Sequence, residues 1–386
     1  MSDSFVEEWA KAQRLKGPSM KNASVFYRNL EEELDARRAQ HACLTLHTRD
    51  VDMVDFSSTD VLGLSASGAV RQAFLDELAR HGGFKLSSHG SRLTDGNSKF
   101  LEEQEQELAE FHGSESALIV NTGHVGNGAI FSVIPRPGDA IVYDELVHAS
   151  VHDGMKDSLA LCRKQFRHNN VNSFLDTLTA IRDYQPQIRD GSRCVLIAVE
   201  SIYSMDGDVC PLQELVEVAK EIFPNGNAQF IIDEAHSTGV IGPKGAGLVN
   251  ALGLENEIAI RLHTFGKALA ASGEDEEDSG PPPFVSPIVP IWTRPRHNFF
   301  LAFHLQRAGF SAFPIYFPVV PKGAERVRLV FHAFNTDAQV EALVSCICAW
   351  AEEMLEIEDG HDRLKLPSAA RQAYSMMAKS ASDAAE

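Results

Sequence analysis

Residues 230–273 carry the densest group of side chains able to do chemistry. The stretch opens on Phe230-Ile231-Ile232-Asp233-Glu234-Ala235-His236 and closes on His263-Thr264-Phe265-Gly266-Lys267-Ala268. An apolar run that stops at Asp233 and His236 has the pattern of a buried parallel strand. Such strands deliver polar groups at their carboxyl ends, where open α/β sheets bind ligands. Lys267 sits in a turn of small residues, beside the Thr264 hydroxyl and a glycine that allows close backbone approach. An acid, an imidazole and an amine converging on one crevice suit a cofactor with a ring nitrogen, a ring oxygen and an aldehyde. Pyridoxal phosphate meets that description, with Lys267 as Schiff-base partner and Asp233 facing the pyridinium nitrogen.

The run Asp233-Glu234-Ala235-His236-Ser237-Thr238-Gly239-Val240-Ile241-Gly242, followed by Thr264-Phe265-Gly266-Lys267, resembles the α-oxoamine synthases. Further matches are His148-Ala149-Ser150, Ser204-Met205-Asp206-Gly207-Asp208 and Gly323-Ala324-Glu325-Arg326-Val327-Arg328. The similarity runs from about residue 34 to 273 and again from about 286 to 355, closest to 8-amino-7-oxononanoate synthase. It implies a fold-type I pyridoxal-phosphate-dependent transferase: a mostly parallel central sheet with helices on both faces, plus a small α+β carboxyl-terminal domain. The implied reaction condenses an amino acid with an acyl thioester such as acyl-CoA, with loss of carbon dioxide, in a homodimer. The same resemblance implies roles for single residues. Gly123, His124 and Thr264 would secure the cofactor phosphate, His148 would stack on the ring, and Ser204 and His236 would hold the ring oxygen. Arg328 and Thr59 would receive the amino-acid carboxylate. Three positions depart from the biotin-pathway members: Leu44 replaces an Arg, Thr59 an Asn and Val319 a Thr. The substrate is therefore expected to differ from a dicarboxylic acyl chain.

These residues need a scaffold. Apolar runs at 117–120, 140–143, 195–199 and 258–262 predict further strands around 230–233, and Pro211 predicts a helix start. Ser286-Pro287-Ile288-Val289-Pro290-Ile291 and 322–330 predict strands of the small domain, with helices at 301–308 and 337–356. The expected organisation is an amino-terminal arm and helix (1–55), a large cofactor domain (56–273), an acidic and proline-rich linker (274–285), a small domain (286–357) and a disordered tail (358–386). The linker stands where the family carries another strand, a connecting helix and a hydroxyl for the partner subunit's cofactor. A second reading follows: a catalytically impaired homologue, or a non-catalytic partner of an intact synthase. Asp233-Glu234-Ala235-His236 as a helicase box fails for want of an upstream phosphate loop.

Bulk properties agree with a cytoplasmic enzyme. A net charge of −19 over 386 residues disfavours nucleic acid or anionic membranes as partners. No run is long enough to span a bilayer, the amino terminus has no signal-peptide pattern, and no metal-ligand spacing occurs.

Overall fold

The computed structural model describes residues 4–46, 48, 52–83, 88–269, 286–360 and 365–382. It falls into two units, Met1–Ser58 with Ile288–Glu386, and Thr59–Pro287. A two-residue strand, β1 (Val54–Asp55), belongs to the first. The second contains β2 (Ala140–Asp144), β3 (Cys162–Phe166), β4 (Val195–Glu200), β5 (Ala228–Asp233) and β6 (Ile258–Leu262). They form one parallel sheet in the order β3-β2-β4-β5-β6. All six residues of the central strand β4 are buried, the apolar run 195–199 as a central parallel strand requires and Glu200 with it. Phe131, Ile141, Val147, Val151, Met155, Leu196 and Ile231 pack together against the sheet. Each such fully buried side chain contributes about 1.5–3 kcal/mol. Register then sets the chemistry: Glu200 lies opposite Asp233, and Asp233 opposite Leu262, so β4, β5 and β6 end together.

Residues 117–120 form no strand. Leu118 is 73% exposed, and the Ile119 N–H is given to Glu105 Oε1 at 2.7 Å instead of to a ladder. Among the described residues β6 is the last strand on its side of the sheet, so this extended run has no neighbour to pair with. Residues 274–285, read as the linker, lie outside the described residues.

In the other unit, β7 (Ile288–Trp292), β9 (Phe313–Ile315) and β10 (Arg326–Val330) form an antiparallel sheet ordered β7-β10-β9, while β8 (Phe310–Ser311) pairs with β1. Phe56, Leu301, Leu305, Val327, Leu329 and Leu343 make its core. One expectation, the disordered tail, fails here. The amino-terminal arm contains a helix, Ser4–Ala12, that buries Phe5, Val6, Trp9 and Ala10 at helical spacing. The tail contains a second, Ser368–Ser382, whose small residues Ala369 and Ala373 pack with Trp9 and Phe303. Neither helix has enough apolar surface to stand alone. Their burial against each other, across most of the chain's length, is invisible to local composition.

Among the described residues no helix is long and apolar enough to cross a membrane, and no cluster of three or more His, Cys, Asp or Glu is placed to hold a metal.

Candidate active site

Asp233 ends β5, where Oδ1 accepts the Ala235 N–H at 2.9 Å and Oδ2 accepts Asn127 Nδ2 at 2.8 Å. Lys267 Nζ lies 2.9 Å from His236 Nε2, so the amine and the imidazole predicted from the Asp-Glu-Ala-His run meet. Glu234, the intervening acid, faces away and is fully buried. It accepts the N–H groups of Leu248 and Val249 at 2.8 and 2.9 Å and a hydrogen bond from Ser237. Gly247, at φ +110°, passes so close to this carboxylate that a Cβ would lie 2.5 Å from Oε2. Glu234 therefore fixes the loop after the strand, leaving Asp233 and His236 to face the crevice.

Gly123 begins the helix Gly123–Val133, capped by Thr122 Oγ1, which accepts the Val125 N–H at 3.1 Å. A Cβ on Gly123 would lie 2.7 Å from Thr264 Cγ2 and 3.2 Å from Leu262 Cδ2. The helix start and the Thr264 turn thus pinch together around a position only glycine fits. Backbone amides at a helix amino terminus beside a hydroxyl are the donor set a phosphate group needs. With an amine, an imidazole and a carboxylate close by, the residues present fit pyridoxal phosphate.

His148 caps the next helix, Ala149–Lys156, its Nδ1 accepting the Ser150 N–H at 3.2 Å. Its own N–H goes to Glu200 Oε1 at 2.5 Å. Burial pushes the His148 imidazole below its ordinary pKa and Glu200, with Asp233 opposite it, well above the carboxylate range. His124 stands edge-on to His148, ring centres 5.8 Å apart, with Nε2 3.5 Å from Asp153 Oδ2. Ser204 lies in the turn from Tyr203 to Asp208, closed by Gly207 N to Tyr203 O at 2.8 Å. Thr59 opens this unit of the chain, while Arg328 lies on β10 of the other, where burial lowers its guanidinium pKa.

Sequence reasoning singled out none of Asn127, Ser150, Glu200 or His168. The first two were within its reach: Asn127 stands four residues after Gly123, one helical turn along the same face, and Ser150 closes the His148 motif.

The aminotransferase class I and II model matches residues 51–274, more than half of the chain. An aminoacyl transferase sphA from Aspergillus fumigatus is 44% identical over 454 aligned positions, covering 96% of this chain and 97% of that protein. An 8-amino-7-oxononanoate synthase from Emericella nidulans is 38% identical, covering 78% of this chain and 90% of the other. Among solved structures, a lysine-to-alanine variant of serine palmitoyltransferase from S. paucimobilis with a bound pyridoxal phosphate–myriocin aldimine is similar in fold. It gives a TM-score of 0.64 at 24% identity, over 78% of this chain and 87% of that one.

Proposed function

This chain belongs to the aminotransferase class I and II family, in its α-oxoamine synthase branch, and we propose that it joins an amino acid to an acyl thioester whose chain ends in apolar carbon. The contact between Lys267 Nζ and His236 Nε2, beside Asp233, carries the catalytic half of that reading. Pyridoxal phosphate is the family's cofactor, and when bound it supplies the electron sink that makes an amino-acid Cα–H acidic. Lys267 would hold the cofactor and then move the Cα proton at Nζ. Asp233 would face the ring nitrogen, His148 the ring face, and His236 with Ser204 the ring oxygen. Gly123, His124 and Thr264 would bind the phosphate, and Arg328 with Thr59 the amino-acid carboxylate. A planar guanidinium offers the two-pronged donor set that a carboxylate accepts, which suits that last task.

Leu44 and Val319 support the acyl-chain preference. Both are well exposed and apolar, at positions where the biotin-pathway enzymes carry an Arg and a Thr. The test is thiol release from alkyl and carboxyl-ended acyl thioesters of equal length, each with glycine, alanine or serine. The alkyl chain should win by at least about tenfold in kcat/KM, since Leu44 stands where the biotin-pathway enzymes carry the Arg that faces the acyl end. Preference for the carboxyl-ended chain would overturn the assignment.

We propose further that the linker 274–285 replaces a family strand and helix, and that two subunits complete the enzyme. Taking 96% of 386 residues as about 371, about 80 of the 454 positions aligned with the Aspergillus relative carry no residue of this chain. Among the described residues the run 117–120 pairs with no strand and β6 ends the sheet, which agrees with a lost strand. The same observation favours the second reading, a chain that serves an intact synthase without turning over. The absence of thiol release with every substrate pair would select it.

A further inference from the structure

We propose that Asn127 is a positioning residue that sets both polar arms of the site: its amide holds the Asp233 carboxylate and, through Ser150, fixes His148 as the neutral tautomer protonated on Nε2. The inference deepens the proposed function and rests on it for its consequence. The tautomer itself follows from geometry.

Asn127 is 2% exposed and Ser150 is fully buried, so neither can turn to water for a partner. The amide nitrogen of Asn127 lies 2.8 Å from Asp233 Oδ2 and 3.1 Å from Ser150 Oγ. The reversed amide would set an oxygen against a carboxylate oxygen, so Asp233 decides which way Asn127 points, and both amide protons are given away. Ser150 Oγ accepts one of them. Its single proton is then directed at its other neighbour, His148 Nδ1, 2.7 Å away. The Ser150 backbone N–H reaches the same nitrogen at 3.2 Å. Two donors on Nδ1 require a lone pair there, which places the ring proton on Nε2.

Charge neighbours act in both directions on this ring. Burial disfavours its protonated form, Lys267 and His124 add to that, and Asp233 and Asp153 oppose it. The relay settles the balance, because an imidazolium would have to break both donor contacts at Nδ1. The chemical use is plain. A neutral imidazole can stack on a protonated pyridine ring without charge repulsion, while the same amide keeps Asp233 as an acceptor for that ring's N–H.

The test begins with the full chain free of cofactor, labelled with nitrogen-15 in its histidines, at pH 7.5. Ring nitrogen signals assigned to His148 should show a bare Nδ1 and a protonated Nε2. Asn127→Asp replaces the donor facing Ser150 by an acceptor, and His148 should gain a proton on Nδ1. Ser150→Ala, which leaves Asn127 on Asp233, should raise the Nδ1-protonated population as well. It also serves as the relay test if Asn127→Asp does not fold. Pyridoxal phosphate titrated into Asn127→Ala should bind about tenfold more weakly than into Ser150→Ala, because only the former leaves Asp233 without its side-chain donor. A protonated Nδ1 in the wild-type chain, or His148 signals unmoved by Ser150→Ala, would overturn the proposal. Wild-type protein that binds no pyridoxal phosphate would defeat the proposed function, while the ring signals still decide the tautomer.

Discussion

His168 and His263 lie in the same unit and are both largely withdrawn from water, yet one is an imidazolium and the other a neutral ring. Burial opposes the charge in both. At His168 it is outweighed, because Nδ1 lies 2.9 Å from Asp144 Oδ1 and Nε2 lies 2.6 Å from Asp208 Oδ2, and the pKa is raised to about 10. His263 stacks on His112 with ring centres 3.7 Å apart and Arg261 nearby, and its pKa falls to about 3, that of His112 to about 4. The state of a buried histidine here is decided by whether two carboxylates reach it. The charged one also does mechanical work. Asp144 heads the loop that carries His148 and Asp208 ends the turn that carries Ser204, so His168 ties together two loops of the candidate site.

Removing the cation is the severest way to break that contrast. His168→Leu leaves the fully buried Asp144 without its charge partner and should cost about 3–5 kcal/mol in urea unfolding at pH 7. A cost below about 1 kcal/mol would show that the imidazole is not a charged tie. Asp208→Asn should cost less, about 1–2 kcal/mol, because Asp208 is partly exposed and the amide can still accept.

The pH dependence separates the two groups by sign. The folded pKa of His168 lies above its unfolded value near 6.5. Its stabilisation is therefore complete below that pH and is lost as pH rises through about 10. The gap in unfolding free energy between wild type and His168→Leu should shrink over that window. His112 and His263 are depressed instead, so the neutral pair favours folding above pH 6.5 and loses that contribution as pH falls through about 4 and about 3. The smallest effect is then His263→Leu, expected within about 1 kcal/mol of wild type at pH 7 and with a flatter acid limb. A steeper acid limb in that variant would mean that His263 is protonated in the folded chain.

Local pattern showed which residues end strands and could not show what lies beside them. Asp233, His236 and Lys267 were legible because an apolar run must stop where a sheet meets its ligand. Strands β2, β4, β5 and β6 were legible for the same reason. The run 117–120 read as a strand from its composition, but a strand exists only with a partner, and among the described residues none pairs with it. Trp9 and Ala373 meet across almost the whole chain. His168 reaches Asp144 and Asp208 over 24 and 40 residues, spacings that follow no local period. Asn127 was hidden differently, since its helix start was read for phosphate binding and the side chain one turn further on was not followed.

The central claim is that this chain builds a pyridoxal-phosphate site on Lys267. The most direct measurement is the near-ultraviolet and visible absorbance of the purified protein with added pyridoxal phosphate, for wild type and Lys267→Ala. The account predicts a protein-bound cofactor band in the wild type that is absent from the variant, and that borohydride traps on Lys267 alone. A wild-type spectrum no different from that of the variant would contradict it.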